Sequence, residues 1–233
     1  MSSGRGRTKS LDLQKLVSSL ENLRTLIVYD SPYVARSLLF YHILPKFSSK
    51  NIFIAVYSDT MYRRLVKTYE SIQKVSPKIA EILNNVEIIK VGTRGNVSFG
   101  NLYKLISGQT WHKSLIAITK NLNKDDVLIL HGFSIIPHMH DRKGLIEVLK
   151  LLDSINEDVT VIGKCSENLY NMKTEKLFER FYDVILRIKR TEGEFLGFGE
   201  TYMIGVEKSI VVNIKPEFGK FMVGEEGELV KVS

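Results

Sequence analysis

The stretch Leu26-Ile27-Val28-Tyr29-Asp30-Ser31-Pro32-Tyr33-Val34-Ala35-Arg36-Ser37 decides the fold. Its first four residues form a short apolar run of the kind found in strands buried on both faces of a parallel sheet. A helical pattern starts at Val34 and extends to Leu44, where Pro45 stops it. A buried strand that passes directly into a helix is the repeating unit of an α/β domain.

The same order recurs downstream. Strands are expected over residues 52–57, 86–91, 126–130, 159–162 and 184–188, with helices over 59–75, 78–83, 114–122, 143–155 and 174–181. Residues 102–106 fit either a short helix or a strand, and residues 93–100 form a loop with two glycines. Ahead of the first strand, Leu11, Leu13, Leu16, Val17 and Leu20 share one face of a helix capped by Ser10. Something must cover that face, which makes the helix a candidate docking element. The last 43 residues change character, with short strands over 202–206, 210–214, 220–223 and 229–232 separated by Gly and Pro. The expected architecture is therefore α/β: a mostly parallel central sheet, helices on both faces, and C-terminal antiparallel hairpins. Residues 11–233 are expected to form a single domain and residues 1–10 a flexible basic arm.

Composition bounds the function. The chain has 233 residues, 44% hydrophobic and 25% charged, which suits a chain able to bury its own core and excludes disordered, collagen-like and disulfide-framework classes. No apolar run approaches the roughly 18 residues of a spanning helix. The net charge is +7, but residues 191–233 carry −4 and the first 190 residues +11. A basic body points to a polyanionic partner, with nucleic acid the commonest. Cys165 is the single cysteine, so no internal disulfide forms; with no apolar leader in the first ten residues, a cytoplasmic setting is expected.

Ligands of parallel α/β sheets bind beyond the carboxyl ends of the strands, and a phosphate cradle at the first turn needs glycines and exposed N–H groups. Residues 30–37 contain no glycine. Against the pattern G-x-x-x-x-G-K-[ST], Asp30 and Ala35 stand at the glycine places and Arg36-Ser37 at Lys-Ser/Thr. Arg36 and Ser37 can meet a phosphate, but Asp30 places negative charge beside it and Pro32 removes a donor.

In its pattern the chain resembles the RecA-like ATPase superfamily and, within it, the KaiC-like branch common in archaea, over residues 23–232. It is also similar to small uncharacterised KaiC-like proteins of hyperthermophilic archaea with a degenerate P-loop, through residues 86–92 and Phe99-Gly100-Asn101-Leu102. The resemblance implies a RecA-like three-layer sandwich. It also implies a catalytic Glu after the second strand, where this chain has Ser58-Asp59, and a metal-organising Asp after the fourth, where it has His131-Gly132. With the cradle, the metal Asp and the base all altered, phosphoryl transfer loses the parts on which it depends. The resemblance then implies a catalytically silent paralogue that holds no cofactor. It would act as a nucleic-acid-binding or assembly-regulatory subunit beside an active RecA-like ATPase, in a homo- or hetero-oligomer. A nucleotide sensor with residual ATP binding through Arg36 and Ser37 is the alternative within the same fold.

Other residues carry separate readings. His131, His138, His140 and Asp141 are close in sequence and of metal-ligating type, so a metal-dependent hydrolase or nuclease is a second class of expectation. Cys165, beside Lys164 at a strand end, is reactive only if exposed. For single-stranded or duplex nucleic acid, the candidates are Arg5, Arg7 and Lys9 in the arm. Tyr62, Arg63, Arg64 and Lys67, with Tyr69, interleave cations and aromatics on the helix over 59–75, and Arg187, Lys189 and Arg190 flank the sixth strand.

Overall fold

The computed structural model describes residues 11–191 and 200–232; Arg5, Arg7 and Lys9 of the expected basic arm lie outside them. Among the described residues ten strands form one continuous sheet: β1 (Arg24–Tyr29), β2 (Asn51–Tyr57), β3 (Glu87–Val91), β4 (Asn101–Ile106), β5 (Asp126–His131), β6 (Thr160–Ser166), β7 (Val184–Arg190), β8 (Thr201–Ser209), β9 (Glu217–Val223) and β10 (Leu229–Lys231). Their spatial order is β10-β9-β8-β7-β1-β6-β5-β2-β3-β4. All pairs from β7 through β1 to β4 are parallel, and β7–β8, β8–β9 and β9–β10 are antiparallel.

Alternation along the central strands builds two cores. Ile27, Ile54, Ile129 and Ile162 face one side, under α1 (Leu13–Ser18), α2 (Pro32–Ser37), α4 (Asp59–Val75) and α5 (Pro77–Asn84). Leu26, Val28, Leu128 and Val161 face the other, under α6 (Trp111–Thr119), α7 (Ile136–Ser154) and α8 (Met172–Glu179). This is the expected three-layer arrangement. Between α2 and the short α3 (Leu44–Lys46), residues Leu38–Ile43 wind as a π-helix, with the N–H of Leu44 bonded to the carbonyl of Leu39. Pro45, which has no N–H, follows one residue later and favours that local change of register.

One open expectation is decided and three change. Residues 102–106 belong to the edge strand β4. Residues 210–214 form no strand, and Ile210 and Val212 are exposed in the connection between β8 and β9. The α1 cap is Asp12, whose carboxylate accepts from the Lys15 N–H at 3.1 Å, while Ser10 lies outside the described residues. The apolar face of α1 is buried in the protein's own core, so it is no free docking element. No helix among the described residues is long and apolar enough to cross a membrane.

Candidate functional site

The turn after β1 is too short to wrap an anion. Only Asp30 and Ser31 separate the strand from Pro32 at the start of α2. The Asp30 carboxylate accepts the backbone N–H of Arg190 at 2.7 Å, which ties the end of β1 to β7. Ala35 is buried, and the buried Ser37 hydroxyl donates to the carbonyl of Tyr33 at 3.2 Å. Asp30, Ala35 and Ser37 are thus built into the turn and helix. Arg36 differs: its guanidinium reaches the Thr68 hydroxyl at 3.4 Å and lies 5.4 Å from the centre of the Tyr33 ring.

Arg36 leads into the main cavity, about 570 Å³, above the carboxyl ends of β1, β5 and β6 and beneath α4. Its charged wall is Arg36, Arg64, Lys67 and Lys164, with His131 beside them; the described lining residues include no carboxylate. Its apolar wall includes Tyr29, Phe40, Met61 and Leu65. Lys164 lies in register with Ile27 on the core face of β6, and its ammonium has no hydrogen-bond or ion-pair partner among the described residues. Desolvation, and then the nearby Arg36 charge, push its pKa down to about 8. Burial, followed by the charges of Lys164 and Arg64, holds His131 well below the usual histidine range. The buried Nδ1 of His131 has no hydrogen-bond partner among the described residues. Gly132, at φ +84°, forms the cavity's rim: a Cβ there would lie 2.9 Å from Met61 Cγ.

A second depression, about 420 Å³, opens on the other side of α4 and is lined by Asp59, Arg63, Lys90, Thr93 and Arg94 among others. Unlike the main cavity, it holds a carboxylate, and that carboxylate pairs with the buried lysine. Lys90, 2% exposed, sits 3.0 Å from Asp59 and 4.5 Å from the centre of the Tyr62 ring. Desolvation works to raise the Asp59 pKa. The Thr93 N–H at 3.0 Å, Lys90, and the Thr93 hydroxyl at 2.9 Å outweigh it and hold the carboxyl at about 2. Asp59 is therefore a clamp on the loop after β3, directed away from the main cavity. Ser58 before it has φ +85°, unusual for a side-chain-bearing residue, and its hydroxyl accepts from the Met61 N–H at 3.3 Å.

The remaining expectations are corrected by geometry. His138, His140 and Asp141 are exposed on α7, around a kink at His140 and Asp141, whereas His131 lines the cavity. His140 Nε2 lies 3.3 Å from the Tyr57 hydroxyl. Among the described residues no three His, Cys, Asp or Glu side chains are grouped to hold a metal, so this tetrad forms no metal centre. Tyr62 and Tyr69 are buried against Phe99, with ring centres at 5.9 and 4.8 Å. They offer no stacking platform for bases. Arg187 is surrounded by Glu167, Glu175, Glu179 and Glu207, Lys189 pairs with Glu167 at 3.0 Å, and Arg190 with Glu200 at 3.1 Å. Cys165 is buried, and desolvation with Glu175 pushes its thiol up to about 12, so it is inert. Arg63, Arg64 and Lys67 remain exposed on α4.

No protein-family model matches the chain, and no curated protein is found similar to it. Solved structures do match. A Pyrococcus horikoshii OT3 protein, PH0250, superposes with a TM-score of 0.62 at 20% identity, covering 95% of this chain and 98% of that one. The KaiC-like protein PH0186 of the same organism gives 0.57 at 11% identity, over 91% and 90%. The flagellar accessory protein FlaH of Methanocaldococcus jannaschii gives 0.55 at 9% identity, over 97% and 96%.

The chain has the RecA/KaiC-like fold.

On that fold the main cavity occupies the carboxyl-end position where open parallel sheets bind ligands. Its cations come from α2, α4 and β6 and none from the first turn itself. The sequence pattern singles out Arg36 and His131, and assigns Arg64 and Lys67 to a nucleic-acid-binding set instead. It passed over Lys164, whose signal was a lone lysine following the apolar residues Val161-Ile162-Gly163 of a central strand.

Proposed function

We propose that the protein is a non-catalytic RecA/KaiC-like subunit that binds a small phosphorylated ligand, such as a nucleotide, as a sensor. The observation that carries this reading is the set of four cations facing one cavity with no carboxylate among the described lining residues. Like charges gathered at a partly desolvated site raise one another's energy, and a bound polyanion relieves that cost. The cavity's size is in the range of small-ligand sites. Turnover is not expected, because the first turn has no glycine cradle and β5 ends in His131.

Thermal melting in the presence of ATP, ADP and pyrophosphate tests the reading. All three should raise Tm in a salt-sensitive way, without release of inorganic phosphate. Arg64→Ala should weaken the shift. Absence of any shift with all three, or magnesium-dependent hydrolysis by pure protein, would contradict the proposal.

A second reading, nucleic-acid binding, has one observation in its favour: Arg63, Arg64 and Lys67 are exposed along one helix. With Tyr62 and Tyr69 buried, such binding rests on phosphate contacts alone. It should weaken steeply with salt and show no preference for single strands over duplex. A strong single-strand preference would contradict this form of the reading.

A further inference from the structure

Lys164 combines features that an ordinary anion-binding lysine does not need. Arg36, Arg64 and Lys67 already supply three cations to the same cavity. Two of them, Arg64 and Lys67, are exposed and well placed to meet a ligand entering from solvent. Lys164 lies deeper, on a central strand, without a hydrogen-bond or ion-pair partner among the described residues. The cavity it faces is also lined by the apolar side chains of Tyr29, Met61, Leu65 and Leu169. A lysine in such a setting is primed as a nucleophile rather than as a point charge.

We propose that Lys164 forms a reversible imine with an aldehyde or ketone that carries a phosphate or carboxylate group. This deepens, and rests on, the reading of the cavity as an anion site. The ligand's anionic end meets Arg36, Arg64 and Lys67, and its carbonyl end reaches Lys164. The Nζ lone pair attacks the carbonyl carbon, a C–N bond forms, and the C=O π pair moves to oxygen, which takes up a proton as the nitrogen gives up the first of its two. The carbinolamine then loses its hydroxyl as water, the C–O bond breaking as a proton is delivered to that oxygen. Loss of the remaining proton from nitrogen leaves the neutral imine. No oxidant or reductant is involved, and water is the one product released. The protons are exchanged with solvent water, since His131 in the same cavity is held neutral by its burial and the neighbouring cations. A pKa of about 8 leaves about a tenth of Lys164 unprotonated at neutral pH, far more than an ordinary lysine.

Pyridoxal 5′-phosphate is the probe, since it joins an aldehyde to a phosphate. The full-length protein is incubated with it, reduced with borohydride to fix any imine, digested and mapped by mass spectrometry. Label should concentrate on Lys164 and be displaced by excess inorganic phosphate. Pyridoxal without its phosphate, or Arg64→Ala, should label Lys164 about tenfold less, the effect of losing a charge-assisted contact. Lys164→Arg, which keeps the charge, should abolish the site-specific label. Label on Lys164 no greater than on exposed lysines such as Lys176 and Lys189 overturns the proposal, as does equal labelling by pyridoxal. Calorimetry with inorganic phosphate separates the two readings. Phosphate binding without Lys164 labelling sinks the imine alone, and absence of both sinks the anion site as well. The mapping on unaltered protein stands even if a variant fails to fold.

Discussion

Two lysines enter the core face of neighbouring parts of one sheet, and their surroundings differ in kind. Lys90, on β3, is met by the Asp59 carboxylate at 3.0 Å, the Asn96 carbonyl at 3.4 Å and the face of Tyr62. Lys164, on β6, faces a cavity whose other charges are of its own sign. A buried cation surrounded by its own partners serves the fold. A partly buried cation left among other cations costs stability, and a ligand is the natural source of the missing charge. The contrast separates the clamp on one side of α4 from the site on the other.

The comparison breaks most visibly through the clamp. Asp59→Ala should cost about 2–3 kcal/mol, below the value for a fully buried pair because the Asp59 side chain is 30% exposed. Denaturant unfolding measures this, and a loss below about 0.5 kcal/mol, the range of an ordinary surface substitution, would dissolve the distinction.

The pH dependence of stability sharpens it, because the two groups act at opposite ends of the scale. Asp59 has a folded-state pKa lowered to about 2 from an ordinary 3.8. Its contribution is present above pH 3.8 and is lost as pH falls from there toward 2. Lys164 is lowered from 10.5 to about 8. Between those values the unfolded chain binds more protons than the folded one, so stability due to this group rises with pH from about 8 to 10.5. The alkaline gain should vanish in Lys164→Met, as seen by subtracting the variant's stability profile from that of the native chain. An unchanged profile would show that Lys164 carries no desolvation cost.

Lys164→Met at pH 7 should itself be neutral, or stabilising by about 1 kcal/mol, while anion binding falls. This is the opposite sign to the Asp59 substitution, and chemical denaturation with calorimetry checks both halves. The smallest effect is expected at Ser58, next to the clamp. Ser58→Gly relieves the positive φ but gives up the hydroxyl cap, for a net gain of about 0.5–1 kcal/mol in thermal melts.

Much of this fold was legible because the central strands are buried on both faces. Runs such as Leu26–Val28 and Val127–Leu130 therefore announce themselves as strands. The edge strand β4 did not, since Asn101, Leu102, Tyr103 and Lys104 are all exposed and follow no core pattern. Residues 210–214 misled in the other direction: Ile210 and Val212 are apolar by type, yet they project from a turn at 69% and 92% exposure. At the site, Arg36 stood out by its place in the pattern G-x-x-x-x-G-K-[ST], and His131 by its place at the end of a strand. The partnership of Lys90 with Asp59 joins β3 to the start of α4 and is set by tertiary packing. Which basic residues of α4 turn toward the cavity depends on the helix's rotation over the sheet, which no local pattern specifies. For the histidines, closeness in sequence was a poor guide: His131 lines the cavity while His138 and His140 are exposed on α7.

Isothermal titration calorimetry of magnesium-free ATP, with the native chain and with the Arg64→Ala Lys164→Met double variant, decides whether the cavity is an anion site. The account predicts one site per chain in the native protein, weakening as salt rises, and binding lost in a double variant that remains folded. Absence of binding to the native chain, or undiminished binding to the double variant, would contradict it.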